Sequence, residues 1–580
     1  MRHPSAPLVA ALLCLAVPAV AQQTPIVLKG TVVTMDDAFT VVKDGGVVVQ
    51  GGKIVSILKA GEAGPSGAVV INSKGKIFPG MINLHDHIAY NFLPLYPVPK
   101  HYDNRDQWPG GKLYEALVNN PKTLVTDPGY YDKQTEALKY AEIKALAGGV
   151  TTTQGSPTDA GTSGILVRNV ELPNWGRDKV GQRGLPIDGM YVKGIAAEKA
   201  SVAKLDAWLF HLSEGMLGSA YSRREYYNSA YTTTKNPGPN NQAGLKNIGV
   251  VMPQLVGIHS AALTAADFND WKATAGSPPK VVWSPLSNFL LYGTTTDVPA
   301  ARAAGGIVAL GTDWSPSGSK SLLWELKFAS VVNTQKFGGK LTNKDLVAMV
   351  TSNPAKIVKW TDKVGSIKPG MVADLVVIDA VNADPYKAIV DAKESHVQLV
   401  LIGGDALYGD EKVLKSAKPS AALEVVGSPG GRKKCIDLKR TTDYYKNKPV
   451  PKGTQTLAEI KSTLLDAFKY EPATLAAILN KGRGPTGDKK PRTTLKAWLS
   501  AALKKVNKPV PADVGDANAN ISAASVQIFL DTKFPNRKPN VPLDPIYQQG
   551  DTAYFNAVKA NLHFTQGALN LAAYLKYAGP

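Results

Sequence analysis

Two cysteines in 580 residues leave little room for covalent bracing. Cys14 lies in an apolar N-terminal stretch, so one removal step would leave Cys435 alone and exclude an intramolecular disulfide. Stability must then come from a large core. Acidic residues are also short: 47 Asp/Glu face 66 Lys/Arg, for a formal charge of +19. The deficit is concentrated late in the chain, where residues 431–580 hold 24 Lys/Arg against 11 Asp/Glu. Such a basic region can meet an anionic surface or polymer, or simply form a solvated face. No motif points to specific nucleic-acid binding, and no stretch is long and apolar enough to form a transmembrane segment. Histidine is scarce as well, with eight in the whole chain. That scarcity makes their placement informative.

The N-terminus reads as a secretory signal. Arg2 and His3 precede an apolar run from Leu8 to Val17, and Ala19-Val20-Ala21 offers a small-residue cleavage site. The expectation is export after cleavage near Ala21, to a periplasmic or extracellular destination.

β-Branched runs at 26–34 and 46–58, broken by Gly51-Gly52, predict antiparallel strands joined by a tight turn. Similar runs return at 374–403. One β domain built from both flanks, interrupted by a long block, accounts for both. Inside that block, apolar runs such as Ala207–Phe210, Gln254–Ile258, Lys280–Trp283 and Gly306–Leu310 alternate with helical stretches. Apolar strands separated by helices predict a parallel sheet buried on both faces. About eight such units would close a barrel of the (β/α)8 kind. The predicted class is α/β: a distorted (β/α)8 TIM barrel, a composite β-sandwich domain and a mainly helical C-terminal extension. The boundaries are 1–21 for the signal, 22–79 with 365–428 for the β domain, 80–364 for the barrel and 429–580 for the extension. Gly427–Gly431 reads as the linker, and two excursions, 91–130 and 219–247, are candidates for substrate contact or a lid.

The chemistry starts at Leu84-His85-Asp86-His87. On a strand, residues i and i+2 face one side, so His85 and His87 can present two imidazoles to one ion while Asp86 points away. His211, His259 and Asp313 each close a later apolar run. Catalytic groups of barrels gather where strands end. Three or four N/O ligands from separate strands make an open site for Zn²⁺ or Fe²⁺. Glu214 lies three residues beyond His211, so it reaches the same side only if the strand stops between them, as Gly215 permits. His101 and His396 are expected elsewhere, and His563 is expected to be structural.

Several segments together resemble the amidohydrolase superfamily: Pro79–His87, Gly149-Val150-Thr151-Thr152, His211-x-x-Glu214, His259, Ser284–Asn288, Gly311-Thr312-Asp313, Asn353–Lys356 and Gly365–Leu375. The His-x-x-Glu form is similar to the mononuclear branch that includes cytosine and guanine deaminases, triazine hydrolases and imidazolonepropionase. The resemblance implies one divalent metal, Zn²⁺ or Fe²⁺, held by His85, His87, His211 and Asp313. It also implies Glu214 as proton shuttle and His259 as a hydrogen-bonding group beside activated water. A binuclear form would instead use Lys193. Asn83 departs from the family's acidic residue, and the export signal and basic extension depart from the branch.

The expected activity is hydrolysis of a carbon–nitrogen bond, not a peptide bond, in a small molecule. Metal-bound hydroxide attacks an sp² carbon of an aminated heterocycle or cyclic amide, Glu214 protonates the neighbouring nitrogen, and Asp313 moves the water proton. Deamination, ring opening and loss of another leaving group share this machinery. A non-catalytic surface-binding protein is the competing class. Tyr90, Trp108, Gln154 and Asn288 are the candidate substrate contacts.

Overall fold

The computed structural model describes residues 24–155, 164–177, 179–183, 194–227, 244–440, 442–445, 449–450, 452–481, 491–516 and 518–579. The expected signal at 1–21 and Lys193 lie outside these, as does much of the 219–247 excursion.

Four strands come first: β1 (Ile26–Val33), β2 (Val41–Gln50), β3 (Lys53–Leu58) and β4 (Val69–Pro79). Gly51 and Gly52 both have positive φ, 58° and 77°, between paired Gln50 and Lys53. That is the left-handed two-residue turn that matches strand twist. Eight short parallel-pairing strands follow: β5 (Met81–Ile82), β6 (Val150–Thr153), β7 (Arg168–Asn169), β8 (Val180–Arg183), β9 (Ala207–Leu212), β10 (Leu255–His259), β11 (Lys280–Trp283) and β12 (Ile307–Leu310). The chain then returns with β13 (Leu375–Ile378), β14 (Val397–Ile402), β15 (Asp405–Asp410), β16 (Glu424–Gly427) and β17 (Lys434–Ile436).

The flanks do meet. β13 pairs antiparallel with β4, setting Leu375 opposite Pro79. The result is one continuous nine-stranded ladder, β16-β17-β15-β14-β13-β4-β1-β2-β3. Leu28, Val47, Ile77, Leu375 and Leu399 share its own apolar core. The expected boundary at 428/429 is corrected, because β16 and β17 pair across it. Pro429–Gly431 is a tight turn within that hairpin, not a linker.

The central strands form two parallel arcs, β5-β6-β7 and β8-β9-β10-β11-β12. Helices 134–147, 195–202, 265–275 and 298–303 lead into β6, β9, β11 and β12. Strands β6, β9 and β10 are buried along their whole length, as sheets covered on both faces require. Ile82 and Leu84 pack in one cluster with Leu209, Val256, Val282 and Ala309, so the arcs share a core. An isolated parallel bridge between Asp86 and Asp313 joins the start of one arc to the end of the other.

The C-terminal region is helical, as expected, at 457–467, 472–480, 491–505 and 523–533. Three short helices follow, 552–559, 562–565 and 572–575. The region is no detached tail. Phe468 stacks on Phe92, and Tyr140 Oη donates to Asp544 O at 2.6 Å. Cys435 is buried and unpaired, and among the described residues no helix is long and apolar enough to cross a membrane.

Candidate active site

The backbone beyond β5 and β12 builds the centre. Asp313 N donates to His85 O at 3.1 Å, and His87 N donates to Asp313 O at 2.6 Å. This clasp needs Gly311, because a Cβ there would lie 2.6 Å from His85 Cβ. It sets Asp313 Oδ1 3.1 Å from His85 Nε2 and 3.5 Å from His87 Nε2. From the next arc, His211 Nε2 comes within 3.3 Å of His87 Nε2.

Strand ends supply the remaining groups. β9 stops at Leu212, and Ser213 turns left-handed at φ 48°, which swings Glu214 back to the same side as His211. Its carboxylate then lies 3.8 Å from His259 Nε2. His259, Ser260 and Asp313 also have positive φ, 60°, 51° and 65°. For side-chain-bearing residues this conformation costs about 1–3 kcal/mol each and persists only where surroundings enforce it. Here Thr296 Oγ1 holds His259 O at 2.6 Å, and Ser260 N is held by Leu212 O at 2.9 Å.

The electrostatics divide the two carboxyls. Burial pushes Glu214 up to about 7, with Asp313 adding to the rise and Arg105 opposing it. Burial would raise Asp313 too, but its hydrogen bond to His85 and the imidazoles around it hold it well below the usual carboxylate range. Burial pulls His87 down to about 4 and His259 to about 3, and holds His211 well below the ordinary imidazole value. Near neutral pH these three are uncharged rings.

That donor set fits a divalent cation. His85, His87 and Asp313 offer atoms within 4.8 Å of one another, as do His85, His211 and His259. The Nε2 atoms of His87 and His211 face each other at 3.3 Å, and the buried Nδ1 of His211 has no partner. A positive charge between these groups resolves the crowding. Neutral imidazole and carboxylate suit Zn²⁺ and Fe²⁺.

A chain of hydrogen bonds runs to His259 from behind. Trp283 Nε1, a donor only, reaches Thr295 Oγ1 at 2.7 Å. Thr295 donates to Asn288 Oδ1, 3.2 Å away, and the Asn288 amide NH₂ faces His259 Nδ1 at 3.0 Å. Nδ1 accepts, so the proton of neutral His259 sits on Nε2. A protonated Nε2 donates into the cavity and does not bind a metal.

Helix 285–292 is buried throughout and reaches Asp313, His259 and Glu214. Ser287 Oγ donates to Asp313 Oδ2 at 2.5 Å, Asn288 sets His259, and Tyr292 Oη donates to Glu214 Oε1 at 2.7 Å. Asn288 is therefore corrected from substrate contact to support behind an imidazole. Gln154 is corrected likewise: its Oε1 lies 3.3 Å from His85 Nδ1, and its amide donates to Glu171. Tyr90 and Trp108 do line the cavity, which has a volume of about 310 Å³.

Residues not singled out from sequence complete that cavity. Tyr114 and Trp314 join Tyr90 and Trp108 as aromatic walls, with Trp314 at 5.1 Å from Tyr90 and 5.8 Å from Trp108. Arg105 anchors the 91–130 excursion by donating to His211 O at 2.7 Å and pairing with Glu225. Asp106 beside it is held by Arg224 at 3.0 Å and Tyr221 at 2.7 Å. The two excursions thus grip each other at the cavity mouth. Their aromatic and charged content marked the segments in sequence, but not which side chains turn inward. His101 lies away from the centre with Nδ1 at 2.9 Å from His563 Nδ1, and His396 sits in the β domain.

Comparisons with known proteins find deaminases and hydrolases. A 5-methylthioadenosine/S-adenosylhomocysteine deaminase of Syntrophus aciditrophicus is 22% identical over 423 residues, covering 67% of this chain and 93% of its own. A 5'-deoxyadenosine deaminase of Methanosarcina barkeri is 25% identical over 426 residues, covering 67% and 94%. The solved structure of atrazine chlorohydrolase from Arthrobacter aurescens, complexed with zinc, shares the fold with a TM-score of 0.52 at 15% identity, over 76% of this chain and 99% of that one. The model of the amidohydrolase family matches residues 239–407, which hold His259, Ser287, Asn288, Tyr292 and Asp313. Residues 239–407 thus resemble the amidohydrolase family, and the similar proteins include deaminases and hydrolases.

Proposed function

We propose that this protein hydrolyses a carbon–nitrogen bond at an sp² carbon of a planar nitrogen heterocycle, with release of an amino group as the first activity to test. The observation that carries the reading is the pair of carboxyls facing one cavity with proton affinities driven apart, Glu214 up to about 7 and Asp313 far down. Such a split assigns an acid and a base. Deaminases of adenosine derivatives among the relatives support the substrate class.

His85, His87, His211 and Asp313 would hold one divalent ion, most simply zinc, which when bound there supplies a water activated for attack. Glu214, protonated over much of the neutral range, donates to the ring nitrogen next to the attacked carbon. Asp313, steadied by Ser287, accepts the proton given up by the water and returns it to the leaving amine. His259 directs its Nε2 proton at the oxygen on which charge develops. Tyr90, Trp108, Tyr114 and Trp314 close around a flat ring and exclude water.

The two parallel arcs, bridged at Asp86 and Asp313, read as a distorted (β/α)8 barrel over 80–364, and residues 1–21 read as an export signal. The basic excess of the C-terminal region leaves an anionic surface or polymer as a partner. Metal analysis, ammonia release over a panel of aminated heterocycles and cyclic amides, and N-terminal sequencing of exported protein test these points. A metal-free protein inert across the panel overturns the enzyme reading.

A further inference from the structure

Asp544 lies in the C-terminal region, yet its side chain is buried against the barrel. Its Oδ1 accepts from Lys320 Nζ at 2.6 Å and its Oδ2 from Lys144. Its own N–H donates to Phe92 O at 3.0 Å, and Tyr140 Oη fixes its carbonyl. Both lysines are 1% exposed, as is Asp544, so neither ammonium has water as an alternative partner.

From Lys144 the contacts lead to the centre. Its Nζ has three donors and three acceptors: Asp544, Asn91 O at 2.6 Å and Ser315 Oγ at 2.8 Å. Asn91 in turn accepts from Ser315 N at 2.8 Å and donates to Asp86 Oδ1 at 2.7 Å. Asp86 is the residue between His85 and His87, and its second oxygen accepts from Asn83 at 3.1 Å. Asn83 also grips Thr312, the residue before Asp313, through bonds of 2.8 and 3.1 Å. Ser315 directly follows Trp314, a wall of the cavity.

We infer that Asp544 is a positioning residue for the metal-site strands: by holding the Lys144 ammonium it fixes Asn91 and Ser315, and through them the His85–Asp86–His87 and Asp313–Trp314 segments. The inference rests on the hydrolase reading above and gives the C-terminal region a part in the site. Without the carboxylate, Lys144 is left buried with two neutral acceptors and a second ammonium nearby on Lys320. The least costly relief is for Lys144 to leave Asn91 and Ser315, which frees both ligand-bearing segments. Partners one layer behind metal ligands set their orientation.

The test compares Asp544→Asn with Leu530→Ala. Leu530 is fully buried in helix 523–533 of the same region but has no part in these bonds. Each zinc-loaded protein is challenged with a chelator, and Tm, kcat and KM are measured at a temperature where it is folded. Asp544→Asn should release zinc about tenfold faster and lose about tenfold in kcat, with KM within about threefold. Leu530→Ala should lose Tm but keep zinc release and kcat within about twofold of the parent. Equal behaviour of the two variants at matched loss of Tm overturns the inference. If Asp544→Asn does not fold, Ser315→Ala removes one arm alone. It should move zinc release the same way by about threefold, and parental behaviour there overturns the inference. An unaltered protein that takes up no zinc brings down the hydrolase reading and this inference together. One that is active while Asp544→Asn matches it brings down the inference alone.

Discussion

Tyr292 Oη donates to Glu214 Oε1 at 2.7 Å while accepting from the Trp108 indole N–H at 3.1 Å. One hydroxyl thus ties Glu214 to the loop that carries Trp108. Hydrogen bonds to a charged group contribute about 1.5–3 kcal/mol. Tyr292→Phe should therefore lower kcat by roughly tenfold or more. The bond also holds the Glu214 carboxyl down against its burial. Its loss should move the alkaline limb of the kcat profile, where Glu214 deprotonates, to higher pH. A limb that stays in place with kcat unchanged contradicts the role.

Glu214→Gln keeps the size and the hydrogen bond from Tyr292 but cannot donate an acid proton. It should retain the full complement of metal and lose at least about a hundredfold in turnover, the scale of general acid catalysis. Metal analysis beside an assay of amine release checks both halves. Near-parental turnover would move the acid to another group.

Metal stabilises whatever binds it only when folded. Treatment with a strong chelator should abolish turnover and lower Tm, and added zinc should restore both. At a free zinc concentration a thousandfold above Kd the stabilisation is about 4 kcal/mol. A Tm indifferent to chelator and zinc argues against a site formed by His85, His87, His211 and Asp313.

His396 gives a pH dependence remote from the centre. Burial pulls it down to about 4, helped by Lys327, Lys393 and Arg432 against Asp379, and its Nδ1 accepts from Lys393 N at 3.0 Å. A folded pKa below the unfolded 6.5 means that protonation favours unfolding. Its contribution is intact above about 6.5 and is lost as pH falls toward 4. His396→Asn, which can still accept from Lys393 N, should show a flatter fall in urea midpoint across that window. Parallel profiles would remove His396 as the cause.

Much of the centre was legible because each group marks the end of a local pattern. His85 and His87 follow from alternation on one strand, and His211, His259 and Asp313 each close an apolar run. Glu214 needed only the strand to stop at Leu212, and the left-handed Ser213 supplies the turn. Gln154 and Asn288 were located near the centre but placed on the wrong side of it. A strand-end or helix-start position does not say whether a side chain faces the cavity or the back of an imidazole.

The sequence by itself determined which residues end the strands, their order, and the meeting of both chain flanks in one β domain, since these depend on short-range periodicity and runs of apolar side chains. Only the tertiary structure decided that Tyr292 meets Glu214, that His259 carries its proton on Nε2, and that Asp544 reaches Lys144 across 400 positions of chain. Those contacts arise where separate elements pack around one core. No local spacing encodes them, because burial leaves each buried polar group to find whichever partner the packing brings within about 3 Å.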